Sequence, residues 1–209
     1  MRLLPNRDLY DTGYCALFVR GISPASLLCE ITGQNCCPVL LDRMEAEMIK
    51  MAGEGLEEED VPELDIEELS NSGMICAEGP LVRAGTYGDW CFAIESEGPY
   101  LAKKEVIRSV SRGTVALSAF KGETGPAWIS YAENGEILSS FDPALPHVDS
   151  GSRPDVLDGI TGYRKVIERG GSDGVPEVVL RKIQHELGCA VPQEADSPRL
   201  LSIRVPGGY

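Results

Sequence analysis

Short apolar runs separated by polar and glycine-rich turns dominate the first two thirds of the chain, and they predict β-strands. The run YCALFVRG, residues 14–21, predicts a buried strand that ends at an Arg-Gly turn. In GDWCFAI, residues 88–94, apolar side chains occupy odd and even positions alike, so both faces of that strand are apolar. A strand of this kind lies in the middle of its sheet. Further strands are predicted at residues 79–85 and 114–120.

The clearest element is a hairpin in AWISYAENGEILSSF, residues 127–141. Two alternating runs flank Asn134-Gly135, the dipeptide that favours a two-residue type I′ turn. Trp128 and Tyr131 belong to its first strand. The run RLLSIRV, residues 199–205, predicts a last strand at the edge of the sheet.

Helices are predicted between and after the strands, from apolar residues three and four positions apart. Ser23-Pro24 begins the first helix and Gly33 ends it. Pro38 begins the second, and its apolar residues form a stripe: Leu40, Met44, Met48 and Met51. We interpret this stripe as core, since methionine fills irregular cores; an adaptable docking surface is the alternative. Other helices are expected at residues 101–113, 154–169 and 176–187.

This order of elements predicts an α+β fold, an antiparallel sheet of about five strands with helices packed mainly on one face. The chain of 209 residues is long enough for one sizeable core. We therefore expect a single domain over residues 1–209, with an acidic insertion or loop at 53–73 and a C-terminal helical part from about 154.

The net charge of −14 is concentrated in one interval, because ten of the 33 acidic residues lie between Lys50 and Arg83 and no basic residue does. A chain with no basic stripe is repelled by nucleic acid and by anionic membranes, so neither is an expected partner. The segment 53–73 has few apolar residues, which predicts a solvated, mobile loop. Its densest part is the candidate partner-binding surface: Glu57, Glu58, Glu59 and Asp60.

The seven cysteines are odd in number and fit no disulfide or zinc-ligand spacing. We expect free thiols, no structural metal and no cofactor. Free thiols together with the absence of an apolar leader favour a cytoplasmic protein. The adjacent pair Cys36-Cys37 leaves a redox or soft-metal role open as an alternative.

Known catalytic motifs find little support in this chain. GGSDG, residues 170–174, matches the serine-hydrolase pattern, but a helix precedes it where the chemistry needs a strand. DTG, residues 11–13, matches the aspartic-protease triplet but has no second copy. The two histidines, His147 and His185, are far apart. No catalytic residue is therefore assigned.

One constellation remains as a candidate pocket: Asp89, Trp90 and Glu95, with Glu95 and Glu97 as an alternative acid–base pair. Asp89 reads as a turn residue and Trp90 as a core residue, which is the competing interpretation.

Four motifs in order, FVRGISP, GDWCFAIESEG, VSRGT and AWISYAENGEILSSFDP, resemble a family of uncharacterised actinobacterial proteins. It is the domain-of-unknown-function family 6461. The resemblance covers roughly Tyr14 to Pro143, with a weaker C-terminal helical match, and segment 53–73 looks like an insertion relative to it. It implies an α+β fold and an actinobacterial cytosol, and it brings no activity and no site residues.

The leading hypothesis is a non-enzymatic, protein-binding protein whose acidic surface neutralises or regulates a basic partner, as an immunity protein does its toxin. Dense negative charge raises the rate of encounter with a cationic protein. The competing hypothesis is a small-molecule-binding protein or enzyme with a pocket around Trp90, Asp89 and Glu95.

Overall fold

A computed structural model describes residues 13–33, 36–76, 78–96, 98–122, 127–145, 149–169 and 175–207. Eight strands in these ranges form one sheet: β1 Gly13–Arg20, β2 Val39–Leu41, β3 Leu81–Tyr87, β4 Trp90–Ser96, β5 Val115–Gly122, β6 Ala127–Glu133, β7 Glu136–Phe141 and β8 Leu200–Arg204. Their order is β2-β8-β3-β4-β1-β5-β6-β7, and every neighbouring pair is antiparallel. The α+β class is confirmed, with more than the predicted five or so strands.

Seven α-helices are described: α1 Pro24–Thr32, α2 Arg43–Ala52, α3 Ile66–Asn71, α4 Lys104–Val110, α5 Val156–Thr161, α6 Tyr163–Arg169 and α7 Val175–Leu187. Short 3-10 turns lie at Gly53–Gly55, Tyr100–Ala102 and Gln193–Asp196. The first and last predicted helices are confirmed near their predicted bounds. The helix predicted at 154–169 is instead two helices, because Gly162 takes a left-handed conformation between them.

The helices cover both faces of the sheet, so the prediction of one covered face was wrong. On one face, α1 and α4 contribute Leu27, Leu28 and Ile107 to a core with Leu17 and Ala93. On the other face, α5, α6 and α7 close a second core. The physical reason lies in β4, whose side chains from Trp90 to Ile94 are apolar and buried on both faces and therefore need two layers.

The predicted central strand and hairpin are both confirmed. Trp90, Phe92 and Ile94 lie in β4, which has three strands on one side of it and four on the other. Asn134 and Gly135 both have positive φ, 53° and 82°, as a type I′ turn requires. Trp128 and Tyr131 lie in β6, which pairs with β7 through a register shift beside Tyr131.

The predicted start of the second helix and the predicted edge strand were both wrong, and one pairing explains both. Residues Val39–Leu41 form β2, not a helical turn, and β2 pairs with β8. Strand β8 also pairs with β3, so it lies inside the sheet and β2 is the edge. Helix α2 begins later, where the Asp42 side chain accepts from the Glu45 amide and the Glu45 side chain accepts from the Asp42 amide.

Candidate functional site

The three residues of the candidate pocket do not converge. Asp89 is exposed at the turn between β3 and β4, 3.6 Å from the Arg20 guanidinium. Trp90 is buried in the core beneath α7, and its indole Nε1 donates to the Leu187 carbonyl at 3.1 Å. Glu95 lies five residues further along β4. Because alternate side chains of a strand point to opposite faces, Glu95 and Trp90 lie on opposite sides of the sheet.

Glu95 is a fully buried carboxyl between two core strands. Its register partners are Cys15 on β1 and Val82 on β3. Its Oε2 accepts a hydrogen bond from the Leu101 amide at 3.1 Å. Burial raises the pKa of Glu95 to about 7, against the opposing effect of the Leu101 and Tyr100 amides. This contact fixes the Tyr100–Ala102 turn to β4, and the alternative partner Glu97 lies outside the described residues.

A small pocket, partly open to solvent, lies between α2 and strands β3 and β4. Its polar side chains already contact other groups of the protein. Lys50 Nζ donates to the Ser96 carbonyl at 3.4 Å and lies 3.7 Å from Glu47. Arg83 Nη2 donates to the Ala195 carbonyl at 3.0 Å. These contacts attach α2 and the C-terminal segment to the sheet, so we assign the pocket a structural role.

The acidic segment, residues 53–73, is packed rather than loose. It contains the Gly53–Gly55 turn and α3, and Leu56, Val61 and Leu69 are buried in a core of their own with Ile49 of α2. The prediction of a solvated loop overlooked these three apolar side chains, which are spaced too irregularly to form a recognisable stripe. They pack the segment against α2 and β2.

The packing of the acidic segment presents its carboxylates to solvent. Glu57, Glu58, Glu59 and Asp60 are all exposed. They occupy one turn, in which the Asp60 amide donates to the Glu57 carbonyl and the Glu57 amide donates to Asp60 Oδ2, both at 3.1 Å. Like charges are thus held together on a defined surface, which is the position that the partner-binding hypothesis requires.

Helix α2 carries an exposed methionine stripe, so its interpretation as core was wrong. Met44, Met48 and Met51 are 68%, 37% and 82% exposed. At 3.6 residues per turn, the three side chains span an arc of about 60° around the helix axis. The buried face is instead formed by Arg43, Ala46 and Ile49, a weaker sequence pattern because it includes an arginine. Leu40 is also exposed, but on β2 and outside the helix.

The methionine stripe and the acidic segment belong to one surface. Glu45 and Glu47 border the stripe on its two sides. Arg199 joins the stripe's border to the acidic segment, since its Nε lies 3.1 Å from Glu45 and its Nη2 lies 3.0 Å from Glu63. We call β2, α2 and the acidic segment, residues 39–73, the acidic lobe.

Other motifs give no site within the described ranges. GGSDG, His147 and the first two residues of DTG fall on residues that the structure does not describe. His185 is exposed on α7, 3.3 Å from Glu186. In the described part of the chain, no three His, Cys, Asp or Glu residues form a metal-binding group. None of the described helices has the length and apolar character needed to cross a membrane.

The chain belongs to a family of unknown function, DUF6461, whose profile matches residues 5–161. The resemblance inferred from the four motifs is thereby confirmed as to family. The match ends with α5, so α6, α7 and β8 lie beyond it, although β8 completes the interior of the sheet. No curated protein and no solved structure matches the chain.

Proposed function

We propose that this protein is a non-enzymatic binding protein that recognises a basic protein partner through the acidic lobe. The observation that carries the proposal is that the stripe of Met44, Met48 and Met51 and a turn of four carboxylates are both exposed on the acidic lobe. An apolar patch bordered by charge is typical of a protein-interaction site, and methionine adapts its shape to its partner.

The two parts of the surface have different roles in this proposal. The stripe is about 10 Å long, from the helical rise of 1.5 Å per residue, and accommodates one turn or two of an amphipathic helix. The carboxylates of Glu57, Glu58, Glu59 and Asp60 accelerate encounter with basic side chains that flank the partner's apolar face. The complex neutralises or regulates that partner, as an immunity protein does.

The proposal also covers the cellular compartment and the host of this binding protein. Free cysteines fit a reducing compartment, so we place the protein in the cytoplasm. The family resemblance supports an actinobacterial host. Nucleic acid and membrane surfaces remain disfavoured partners, because the acidic lobe repels phosphate groups.

The test is affinity capture from the native cytosol with three matched baits. The stripe variant carries Met44→Gln, Met48→Gln and Met51→Gln, which preserve helix propensity. The control variant carries Leu145→Gln, Ile160→Gln and Val178→Gln, three exposed apolar residues elsewhere. We expect a basic protein that wild type and the control variant retain and the stripe variant loses, as identified by mass spectrometry. Equal capture by all three baits would contradict the proposed surface.

A further inference from the structure

Two cysteine sulfurs meet where α1 ends and the chain turns towards β2. Cys29 lies in the last turns of α1, and Cys36 lies just before Pro38 and β2. Their Sγ atoms are 2.8 Å apart, and both residues are half-buried. Cys37, the next residue, is exposed. This contact joins α1 to the loop that leads into β2, and it is independent of the acidic lobe's surface.

Local structure holds the first of these sulfurs in place. Gly33 ends α1 in a left-handed conformation, φ 68°, and its amide donates to the Cys29 carbonyl at 2.9 Å. The Thr32 hydroxyl donates to the same carbonyl at 3.1 Å. The reversal at Gly33 lets the following chain return towards the helix. The Cys36 sulfur therefore faces a cysteine, Cys29, whose backbone is held by these two hydrogen bonds.

We propose that Cys29 and Cys36 form a reversible disulfide, which makes this pair a redox modification site. A disulfide bond is about 2.05 Å long, so the sulfurs need to approach by only about 0.8 Å. Cytosolic disulfides of this kind are transient and redox-sensing rather than structural. The site is separate from the adjacent pair Cys36-Cys37, whose redox role the sequence left open.

The oxidant is a hydroperoxide, and the reaction balances as two thiols and one hydroperoxide giving one disulfide, one alcohol and one water. The thiolate of Cys29 attacks the terminal peroxide oxygen, the O–O bond breaks and a sulfenic acid forms. Cys36 sulfur then displaces that oxygen as water and the S–S bond forms. Burial and the contact with Cys29 raise the pKa of Cys36 to about 12, so Cys36 is rarely a thiolate and is not the sulfur that the peroxide oxidises first.

The disulfide would cross-link α1 to the segment that leads into the acidic lobe. Leu27, Leu28 and Ile31 bury α1 against the sheet, whereas Cys36 begins the segment that leads into the acidic lobe. The disulfide closes a loop of eight residues, from Cys29 to Cys36. Oxidation would thus fasten the entrance of the acidic lobe to α1, whatever that lobe binds.

The experiment maps the bond in the full-length chain. Reduced protein is treated with one equivalent of hydrogen peroxide, alkylated in denaturant and cleaved with trypsin and a glutamate-specific protease. Cleavage after Arg20, Glu30 and Arg43 separates Cys29 from the other two cysteines. We expect two of the seven thiols to be lost, and peptides 21–30 and 31–43 to be joined, with Cys37 alkylated. Dithiothreitol should restore both thiols.

Single variants identify the partners. Cys37→Ser and the distant control Cys76→Ser should still form the bond, and Cys29→Ser and Cys36→Ser should not. Cross-linking through Cys37, or seven titratable thiols after peroxide, would overturn the proposal. If a variant fails to fold, the wild-type fragment spectrum still decides, because it shows which of Cys36 and Cys37 carries the alkyl group.

Discussion

The central sheet and the acidic lobe bury their apolar residues to different extents. In β4, side chains on both faces are enclosed by helices, and Phe92 is 1% exposed. In the acidic lobe, α2 buries one face and leaves Met51 82% exposed on the other. Fully burying a methionine is worth about 1.5–3 kcal/mol. The sheet therefore buries its apolar side chains on both faces, while the lobe retains apolar surface that folding leaves exposed.

The largest expected difference between the two regions is the cost of removing an apolar side chain. Phe92→Ala should lower the free energy of unfolding by about 3–5 kcal/mol, because it leaves a cavity in a closed core. Met51→Ala should change it by less than about 0.5 kcal/mol, since the side chain already contacts water. Denaturant unfolding measures both, and similar costs would contradict the comparison.

The hairpin of the sheet should be nearly as sensitive. Replacing Asn134-Gly135 with Pro-Pro removes two amide donors, which bond to the carbonyls of Thr114 and Ser111 at 3.0 and 3.2 Å. Proline also cannot take positive φ, so we expect a loss of about 3 kcal/mol or more. Asn134→Gly is the control, because glycine keeps the turn conformation. An unchanged melting temperature in the Pro-Pro variant would refute the turn assignment.

Glu95 gives the sheet a pH dependence of similar size. Its folded pKa of about 7 lies above the ordinary value of 4.5 for a glutamate carboxyl, so the unfolded chain releases the proton first as pH rises. This destabilises the folded state progressively between pH 4.5 and 7, by at most about 3 kcal/mol, and the loss stays constant above pH 7.

Glu95→Gln isolates this effect, since the amide does not titrate. The stability of wild type relative to Glu95→Gln should fall as pH rises from 4.5 to 7, as measured by unfolding at several pH values. Lys104→Gln is a control at an exposed position close to this turn, and it keeps the carboxyl. Parallel pH profiles for wild type and Glu95→Gln would show that Glu95 ionises normally in the folded protein.

The smallest expected effect on folding is that of the stripe variant in the free protein. Substituting Met44, Met48 and Met51 with Gln should change the free energy of unfolding by less than about 0.5 kcal/mol per residue, because all three contact solvent. Thermal and denaturant unfolding of the stripe variant and the control variant check this. A loss of several kcal/mol would mean that the stripe is core after all.

The strands of the sheet were predicted well because each strand or turn has one local sequence pattern that specifies it. Trp90 to Ile94 is apolar on both faces, and Asn134-Gly135 needs positive φ at two positions; both properties are local. The position of β8 between β2 and β3 is not local, since the pairing joins residues about 160 positions apart. No single-sequence pattern specifies such a pairing.

The acidic lobe was harder to predict because two apolar patterns compete there. Met44, Met48 and Met51 form the more regular stripe, yet Ala46 and Ile49 face the core. The decisive information is tertiary: Val39 and Leu41 in β2 complete the buried cluster. The exposure of the carboxylates from Glu57 to Asp60 was predictable from charge alone, whereas the exposure of the methionine stripe depends on which face of α2 the fold buries.

Binding through the acidic lobe can be measured as the kinetics of association with, and dissociation from, the captured partner at 0.1 M and 1 M salt. The variants are the stripe variant, the control variant and a four-serine variant at Glu57, Glu58, Glu59 and Asp60. The Debye length falls from about 10 Å to about 3 Å over this range, so steering by the carboxylates should operate only at low salt.

We expect the four-serine variant to associate more slowly than wild type at 0.1 M salt and at a similar rate at 1 M salt. The stripe variant should dissociate faster at both salt concentrations, because its loss is apolar contact, while the control variant should match wild type. Association and dissociation rates that are the same for all four proteins at 0.1 M salt would contradict the proposal that the acidic lobe is the binding surface.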